Sequence, residues 1–175
     1  MLFFVKKIQL GGHRYKNKLV RGYALINNKD FKKVSHIFWV LSSHGYASGF
    51  DKKTGKKVYM HRLILNPPKN KQTDHINGNR LDNRRENLRI ATRSQNGANK
   101  SKYPIRKTTS KYKGVYFNKL DKKWVAKVKI NKKEITFGQY RTEHQAAIVY
   151  DLWAVDLFGK YARPNNKVVL FGRRP

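Results

Sequence analysis

The chain contains no cysteine, which excludes disulfides and thiolate metal sites. Any metal must be held by His, Asp, Glu, Asn or carbonyl oxygen. Acidic residues are scarce: ten Asp and Glu stand against 40 Lys and Arg in 175 residues, a formal net charge of +30. A protein this small with that charge needs a polyanion, and nucleic acid is the default partner. Long apolar runs are also missing. Met1-Leu2-Phe3-Phe4-Val5 reaches only as far as Lys6-Lys7, too short for a signal h-region or a membrane span. No long basic amphipathic helix is present to lie on an anionic membrane. No membrane partner is therefore expected, and the location is expected to be intracellular. Charge alone leaves duplex DNA and ribosomal-type RNA equally open.

What is present argues for folded structure: 39% hydrophobic and 13% aromatic residues, enough for one to three small domains with modest cores. Residues 1 to about 60 read as β-rich. Apolar runs at 3–10, 20–26 and 37–42 are separated by Gly11-Gly12, Asn27-Asn28 and Ser43-His44-Gly45, which are turn-type breaks. Asn27 or Asn28 is expected to cap a short helix carrying Phe31 and Val34 on one face. Residues 46–50 and 57–60 flank a basic tip and read as a hairpin. Phe38 and Trp39 are expected in the core, and His13, His36 and His44 as structural or surface residues. Pro67-Pro68 ends any helix before them and forces an extended approach to Asp74. His61 and Arg62 precede that point by about a dozen residues. They read either as phosphate neighbours or as part of a solvent-facing helix or strand.

The chain is organised around the stretch from Asp74 to Asn96. Asp74-His75 closes a short strand, Asn77-Gly78 turns the chain, and 88–92 forms a second strand. Residues 93–100 suit one or two helical turns with Thr92 as N-cap. Phosphodiester hydrolysis needs a deprotonated water, neutralised phosphate charge and a stabilised leaving oxygen. A neutral imidazole at His75 suits the first task. A hard divalent cation on oxygen ligands suits the others, with Asp74 supplying a charged oxygen and Asn96 a neutral one. Asn87 is placed to hold the intervening loop. The same residues also fit a plain polar surface hairpin.

Residues 97–111 have no hydrophobic periodicity and read as a basic linker. Beyond it, Trp124, Ala126, Val128 and Ile130 alternate with Val125, Lys127 and Lys129, the pattern of a half-buried strand with a basic outer face. A strand over 113–118 precedes it. A third over 134–138 carries Ile135 and Phe137 on the side of Trp124. Thr142 and Gln145 predict a capping box opening a helix. Ala146, Ala147, Val149, Tyr150, Trp153, Ala154 and Leu157 are expected to form its apolar stripe, and Gly159 to stop it. Twelve Lys or Arg lie between Lys102 and Lys133 against one acid, Asp121, so the open sheet face should be strongly positive.

Several of these segments resemble known families. Tyr59-Met60-His61-Arg62-Leu63, Asp74-His75-Ile76-Asn77-Gly78-Asn79, Leu81-Asp82-Asn83-Arg84 and Glu86-Asn87-Leu88-Arg89 resemble the HNH endonucleases, in the phage and intron-encoded homing branch. That resemblance implies a ββα-metal fold with His75 as general base, Asn87 as loop organiser, and Asp74 and Asn96 as metal ligands. Asn96 stands where the family often has His, which favours Mg²⁺ or Mn²⁺, one divalent cation per site. Tyr112-Lys113-Gly114-Val115, Trp124-Val125-Ala126, Phe137-Gly138-Gln139-Tyr140, Thr142, Ala146-Ala147, Tyr150-Asp151 and Asn165 are similar to the AP2 DNA-binding domain. This second resemblance implies DNA contacts from the sheet face at Lys113, Tyr116, Asn118, Lys127, Lys129 and Thr136. Arg62 joins them from the first module.

The expected fold is α+β: a β-rich region and HNH domain over 1–100, with a ββα-metal core at about 72–100. A basic linker follows over 101–111, then an AP2-like three-stranded antiparallel sheet plus helix over 112–165 and a tail over 166–175. The expected function is site-specific cleavage of double-stranded DNA, leaving 5′-phosphate and 3′-OH ends, by a monomer or dimer with no obligatory protein partner. If the gene is phage-borne, the location is the cytoplasm of a bacterial host. The rival is a non-catalytic AP2-type transcriptional regulator.

Overall fold

The computed structural model describes residues 4–15, 18–102, 108–131 and 133–166. The chain divides into two compact units, Met1–Ala91 and Thr92–Pro175, and its secondary structure is mixed α and β. The expectation for His13 concerns a side chain outside the described ones, and the tail from 167 onward lies outside the described residues.

In the first unit, β1 (Val5–Tyr15) and β2 (Lys18–Asn27) form an antiparallel hairpin. β3 (Trp39–Leu41) meets β1 in parallel at the single pair Gly11 and Val40. β4 (Ala47–Asp51) and β5 (Lys56–Tyr59) then pair on antiparallel from β3, completing a mixed sheet of order β2-β1-β3-β4-β5. Its core gathers Leu10, Ala24, Ile26, Trp39 and Ala47 from the strands with Val34, Met60 and Ile64 from short helices α1 (Phe31–Val34) and α2 (Met60–Leu65). The buried indole N–H of Trp39 donates to the Val34 carbonyl at 2.8 Å, so the largest core side chain leaves no polar atom unpaired.

Phe38 does not join that core. It is 77% exposed, because successive side chains at a strand entry point to opposite faces and Trp39 takes the inner one. The Phe38 ring instead covers Gly11, where a Cβ would come within 2.6 Å of it. Neither Asn27 nor Asn28 caps the short helix with its side chain. A 3-10 turn over Asn28–Asp30 leads into α1, and Asn27 is committed elsewhere, as described below. α2 ends at Asn66, whose left-handed backbone (φ 47°) puts its N–H on the Arg62 carbonyl at 2.8 Å before the two prolines. The last two strands of the unit, β6 (Gln72–His75) and β7 (Leu88–Ala91), form a separate antiparallel pair.

The second unit opens with α3 (Arg93–Ala98), capped by a reciprocal box between Thr92 and Gln95. β8 (Val115–Asn118), β9 (Lys123–Ile130) and β10 (Lys133–Tyr140) make an antiparallel sheet in the order β10-β9-β8. α4 (Glu143–Phe158) covers one face, with its own Thr142–Gln145 capping box and a stop at Gly159. The inner face of β9 buries Ala126 and Val128 against Ala146, Ala147, Tyr150 and Ala154. Gly114 adopts φ 73°, and any Cβ there would sit 2.0 Å from the Tyr150 ring. Only glycine permits that approach.

Two expected core residues of α4 are half outside. Trp153 is 46% and Leu157 40% exposed, and Phe158 is buried in their place. Trp153 stacks on Phe137, centroids 5.0 Å apart and planes within 2°, covering the sheet's margin rather than its centre. Ile135 shares the face of its cross-strand partner Val128, yet is 43% exposed because β10 is an edge strand. The end of the expected linker is tied to this unit: Ser110 Oγ donates to the Glu143 carboxylate at 2.7 Å, and the Lys111 N–H at 2.9 Å. Asp151, fully buried, accepts from the backbone N–H groups of Asn165 and Asn166 at 2.7 and 2.8 Å. Asn165 in turn pairs its amide with both backbone groups of Lys113.

Candidate active site

β6 delivers Asp74 and His75 side by side, and pairing with β7 sets Asp74 against Arg89 and His75 against Leu88. Both side chains are buried, at 4% and 5% exposure. After His75 the chain turns tightly, with the Gly78 N–H on the His75 carbonyl at 2.9 Å and Gly78 at φ 79°.

The turn is held by asparagines. Asn87 Oδ1 accepts the Asn77 N–H at 2.9 Å, and Asn87 Nδ2 donates to the Asp82 carbonyl at 2.7 Å. Asn77 Nδ2 reaches Asp82 Oδ2 at 2.9 Å. Arg84 grips both Asp82 oxygens at 2.7 Å, and that bidentate partner holds the Asp82 carboxyl below the usual carboxylate range. Asn87 thus binds the loop at both ends without touching the ring of His75 in any of these bonds.

The residue on the ring is Asn83. It is fully buried; its Nδ2 donates to the Leu81 carbonyl at 3.2 Å, which turns Oδ1 toward His75 Nε2 at 3.3 Å. An amide oxygen only accepts, so His75 carries its proton on Nε2 and its lone pair on Nδ1. Burial pushes the His75 pKa down, with the Asn83 bond and the Asp74 and Asp82 charges opposing. A neutral imidazole with one oriented lone pair is the form that accepts a proton.

The sequence leaves His61 two roles, a phosphate neighbour or a solvent-facing residue. It does not face solvent: it is 8% exposed. Its ring lies edge-on to His75, centroids 5.1 Å apart, and stacks on Tyr59 at 5.6 Å. Tyr46 closes the group, 5.0 Å from His61 and 5.9 Å from His75. The Arg80 guanidinium lies 5.0 Å over the Tyr46 ring and donates to the His44 carbonyl at 2.6 Å. Arg62 makes one long contact, to the Lys71 carbonyl at 3.4 Å.

The loop is anchored from behind by β2. Leu25 exchanges backbone bonds with Leu81 and Asn83, both at 2.8 Å. Asn27 accepts the Arg85 N–H at 2.7 Å and donates to Glu86 at 3.0 Å. Arg85 forks onto the buried Asp30 at 2.7 and 2.8 Å. This anchoring spans some 55 residues of sequence and has no local signature; Asn83 was visible only as a member of a motif.

Of the expected site residues, Asp74, His75 and Asn87 come together in the first unit. Asn96 stands on α3, in the second. Among the described residues no group of three or more His, Asp or Glu forms a metal cluster. In the first unit, the Asp74 carboxylate is an oxygen donor of the kind that a hard divalent cation takes.

The pattern of the HNH endonucleases matches residues 58–98. A protein of Acanthamoeba polyphaga mimivirus named as an HNH endonuclease is 35% identical over 151 residues, which is 82% of this chain and 75% of that one. The chain belongs to the HNH endonuclease family. No solved structure matches it. The HNH endonuclease is thus a DNA-cleaving enzyme of a family that generally uses a divalent metal, and the reading as a regulator without catalysis is not favoured. Among the described residues no helix is long and apolar enough to cross a membrane.

On the second unit's outer sheet face, Lys127 Nζ lies 4.6 Å over the Tyr116 ring and 2.9 Å from the Glu134 carboxylate. Lys127 pairs across strands with Thr136, and Lys129 with Glu134. Asn118 is engaged in its own turn, donating to Asp121 at 2.6 Å and accepting from the Leu120 N–H at 3.1 Å. Lys113 turns its ammonium onto the Ala98 carbonyl, and burial lowers its pKa to about 8.

Proposed function

We propose that this HNH endonuclease is a site-specific enzyme of the homing type, built from a cutting module and an AP2-like DNA-binding sheet. The observation that carries the mechanism is the Asn83–His75 contact beside Asp74. It fixes the imidazole as a neutral base with its lone pair on Nδ1. That nitrogen takes a proton from water, and the resulting hydroxide attacks phosphorus in line with the leaving 3′ oxygen. The P–O3′ bond breaks, the 3′ oxygen takes its proton from solvent water, and the products carry 5′-phosphate and 3′-OH ends. Asp74 and Asn96 would hold one divalent cation, Mg²⁺ or Mn²⁺. When bound, it supplies charge neutralisation on the phosphate and the leaving oxygen. Asn87 organises the 77–82 loop through its bonds to the Asn77 N–H and the Asp82 carbonyl. One such centre cuts one strand, so a monomer nicks and a double-strand cut needs a second copy or a reorientation.

Binding comes mainly from the basic outer sheet face. Tyr116, Lys127, Lys129 and Thr136 are the contacts that the AP2 resemblance suggests and that share that face in the register. Arg62 adds a phosphate contact near the cut. Lys113 and Asn118 would have to release internal bonds to reach DNA. A formal charge of +30 supplies the non-specific part.

The test is cleavage of end-labelled duplex DNA spanning the gene's own insertion site, with Mg²⁺, Mn²⁺ or EDTA. Metal-dependent cutting at one position, lost in His75→Ala with DNA binding kept, is expected. Equal cutting by His75→Ala, or no cutting of any duplex by the wild-type chain, overturns the reading.

A further inference from the structure

His61 carries a feature that packing does not explain. Its Nδ1 is sealed from solvent and has no hydrogen-bond partner. The surrounding rings offer none: Tyr59 is stacked on it, Tyr46 is tilted against it, and His75 meets it edge to face. A buried polar atom without a partner is costly. A phenyl ring would fill the same space without that cost.

The sealed nitrogen also fixes the ring's chemistry. A proton on Nδ1 would be a buried N–H with no acceptor, whereas a lone pair there is the less costly arrangement. The single proton of the neutral ring therefore sits on Nε2. The ring is neutral because burial, reinforced by His75 and Arg62, drives its pKa down to about 3. His61 is thus an uncharged N–H donor, 5.1 Å from the base between ring centroids. That separation lies within the span of one phosphate group and its attacking water. Phosphate oxygens accept hydrogen bonds and do not donate them, so the two imidazoles have complementary tasks: one removes a proton and the other offers one in a hydrogen bond.

We propose that His61 is a second catalytic residue of this centre, giving its Nε2–H to a non-bridging oxygen of the phosphodiester that is cut beside His75. This rests on His75 being the general base. As a donor aimed at charge that grows in the transition state, His61 accelerates the cut more than it strengthens binding.

The test compares wild type, His61→Phe and His75→Ala in full-length protein, on the duplex that the wild-type chain cuts with Mn²⁺. His61→Phe should melt no lower than wild type and bind the duplex in EDTA with a Kd within about threefold, yet cut at least about a hundredfold more slowly at saturating DNA. Cutting within about threefold of wild type overturns the role of His61. Cleavage lost in His75→Ala but kept in His61→Phe overturns this role alone; cleavage surviving His75→Ala overturns the underlying reading as well. Should His61→Phe fail to fold, His61→Leu, also without a donor, takes its place. A reading without any variant stands beside these: ¹H–¹⁵N NMR of the wild-type imidazoles at neutral pH should give the Nε2–H tautomer for His61. An Nδ1–H tautomer or a doubly protonated ring overturns the proposal.

Discussion

Arg89 and Asp74 face each other across the β6–β7 pair, and Arg89 places Nε and Nη2 on the same carboxylate oxygen, Oδ2, at 2.8 and 2.7 Å. Both side chains are largely buried, at 12% and 4% exposure. The carboxylate that we propose as a metal ligand therefore already holds a cation of the protein's own. Arg89→Ala should cost about 3 kcal/mol of stability, because breaking a buried pair strands a charge. In the same variant, calorimetric titration of the DNA-free protein with Mn²⁺ should show tighter binding than wild type. Weaker or unchanged binding would mean that Arg89 and the metal share Asp74 rather than compete for it.

Asn83 sets the tautomer of His75 through one hydrogen bond. Asn83→Ala should lower kcat by about a hundredfold, since misplacing a reacting group slightly has that effect. The Kd for DNA should stay where it is. Single-turnover cleavage alongside gel-shift binding separates the two. A loss shared equally between binding and cutting would mean that the variant has damaged the loop instead.

Stability should fall on the acid side, and His61 should be a main cause. Its folded pKa, about 3, lies below the ordinary value of 6.5. The unfolded chain therefore takes up a proton below 6.5 that the folded chain refuses, and unfolding is favoured as pH drops through that window. Going from pH 7 to pH 5 should cost about 2 kcal/mol from this residue, at 1.36 kcal/mol per unit. Urea unfolding of wild type and His61→Phe at the two pH values checks it. The variant should lose less, and parallel losses would remove His61 from the account.

Affinity for DNA should drop by roughly a thousandfold or more between 50 and 200 mM salt if about six phosphates are neutralised. Lys127→Ala should lower the salt slope by about one unit, as expected for one lost phosphate contact. Tyr116→Ala should weaken binding with little change in slope, because the ring contributes contact rather than charge. A Lys127 variant with the wild-type slope would place the DNA off this sheet face.

Local patterns carried much of the sequence reading. The N-cap at Thr92, the capping box at Thr142–Gln145, the alternation along 124–130 and the stop at Gly159 are short-range signals with short-range causes. The Asp74-His75 pair and Asn87 were visible as chemistry and as motif. The failures came where neighbours distant in sequence decide. Phe38 and Trp39 look alike as residues, and only the sheet face chosen by β1 separates them. Trp153 and Leu157 fit the stripe of α4, but the sheet beneath is too narrow to cover them. His61 read as neutral between two roles because nothing near it in sequence shows Tyr46 and His75 closing over it.

The grip of β2 on the 81–86 loop bears on what can be transplanted. The family signature covers residues 58–98, yet the segment bearing Asn83 takes its shape from Leu25, Asn27 and Asp30. A graft of the signature alone would carry the reagents without their mould. Shuffling of this cutting module between genes should therefore respect a border well upstream of the motif, before the first hairpin, and chimaeras joined between residues 31 and 58 should be inert however faithfully they copy the motif.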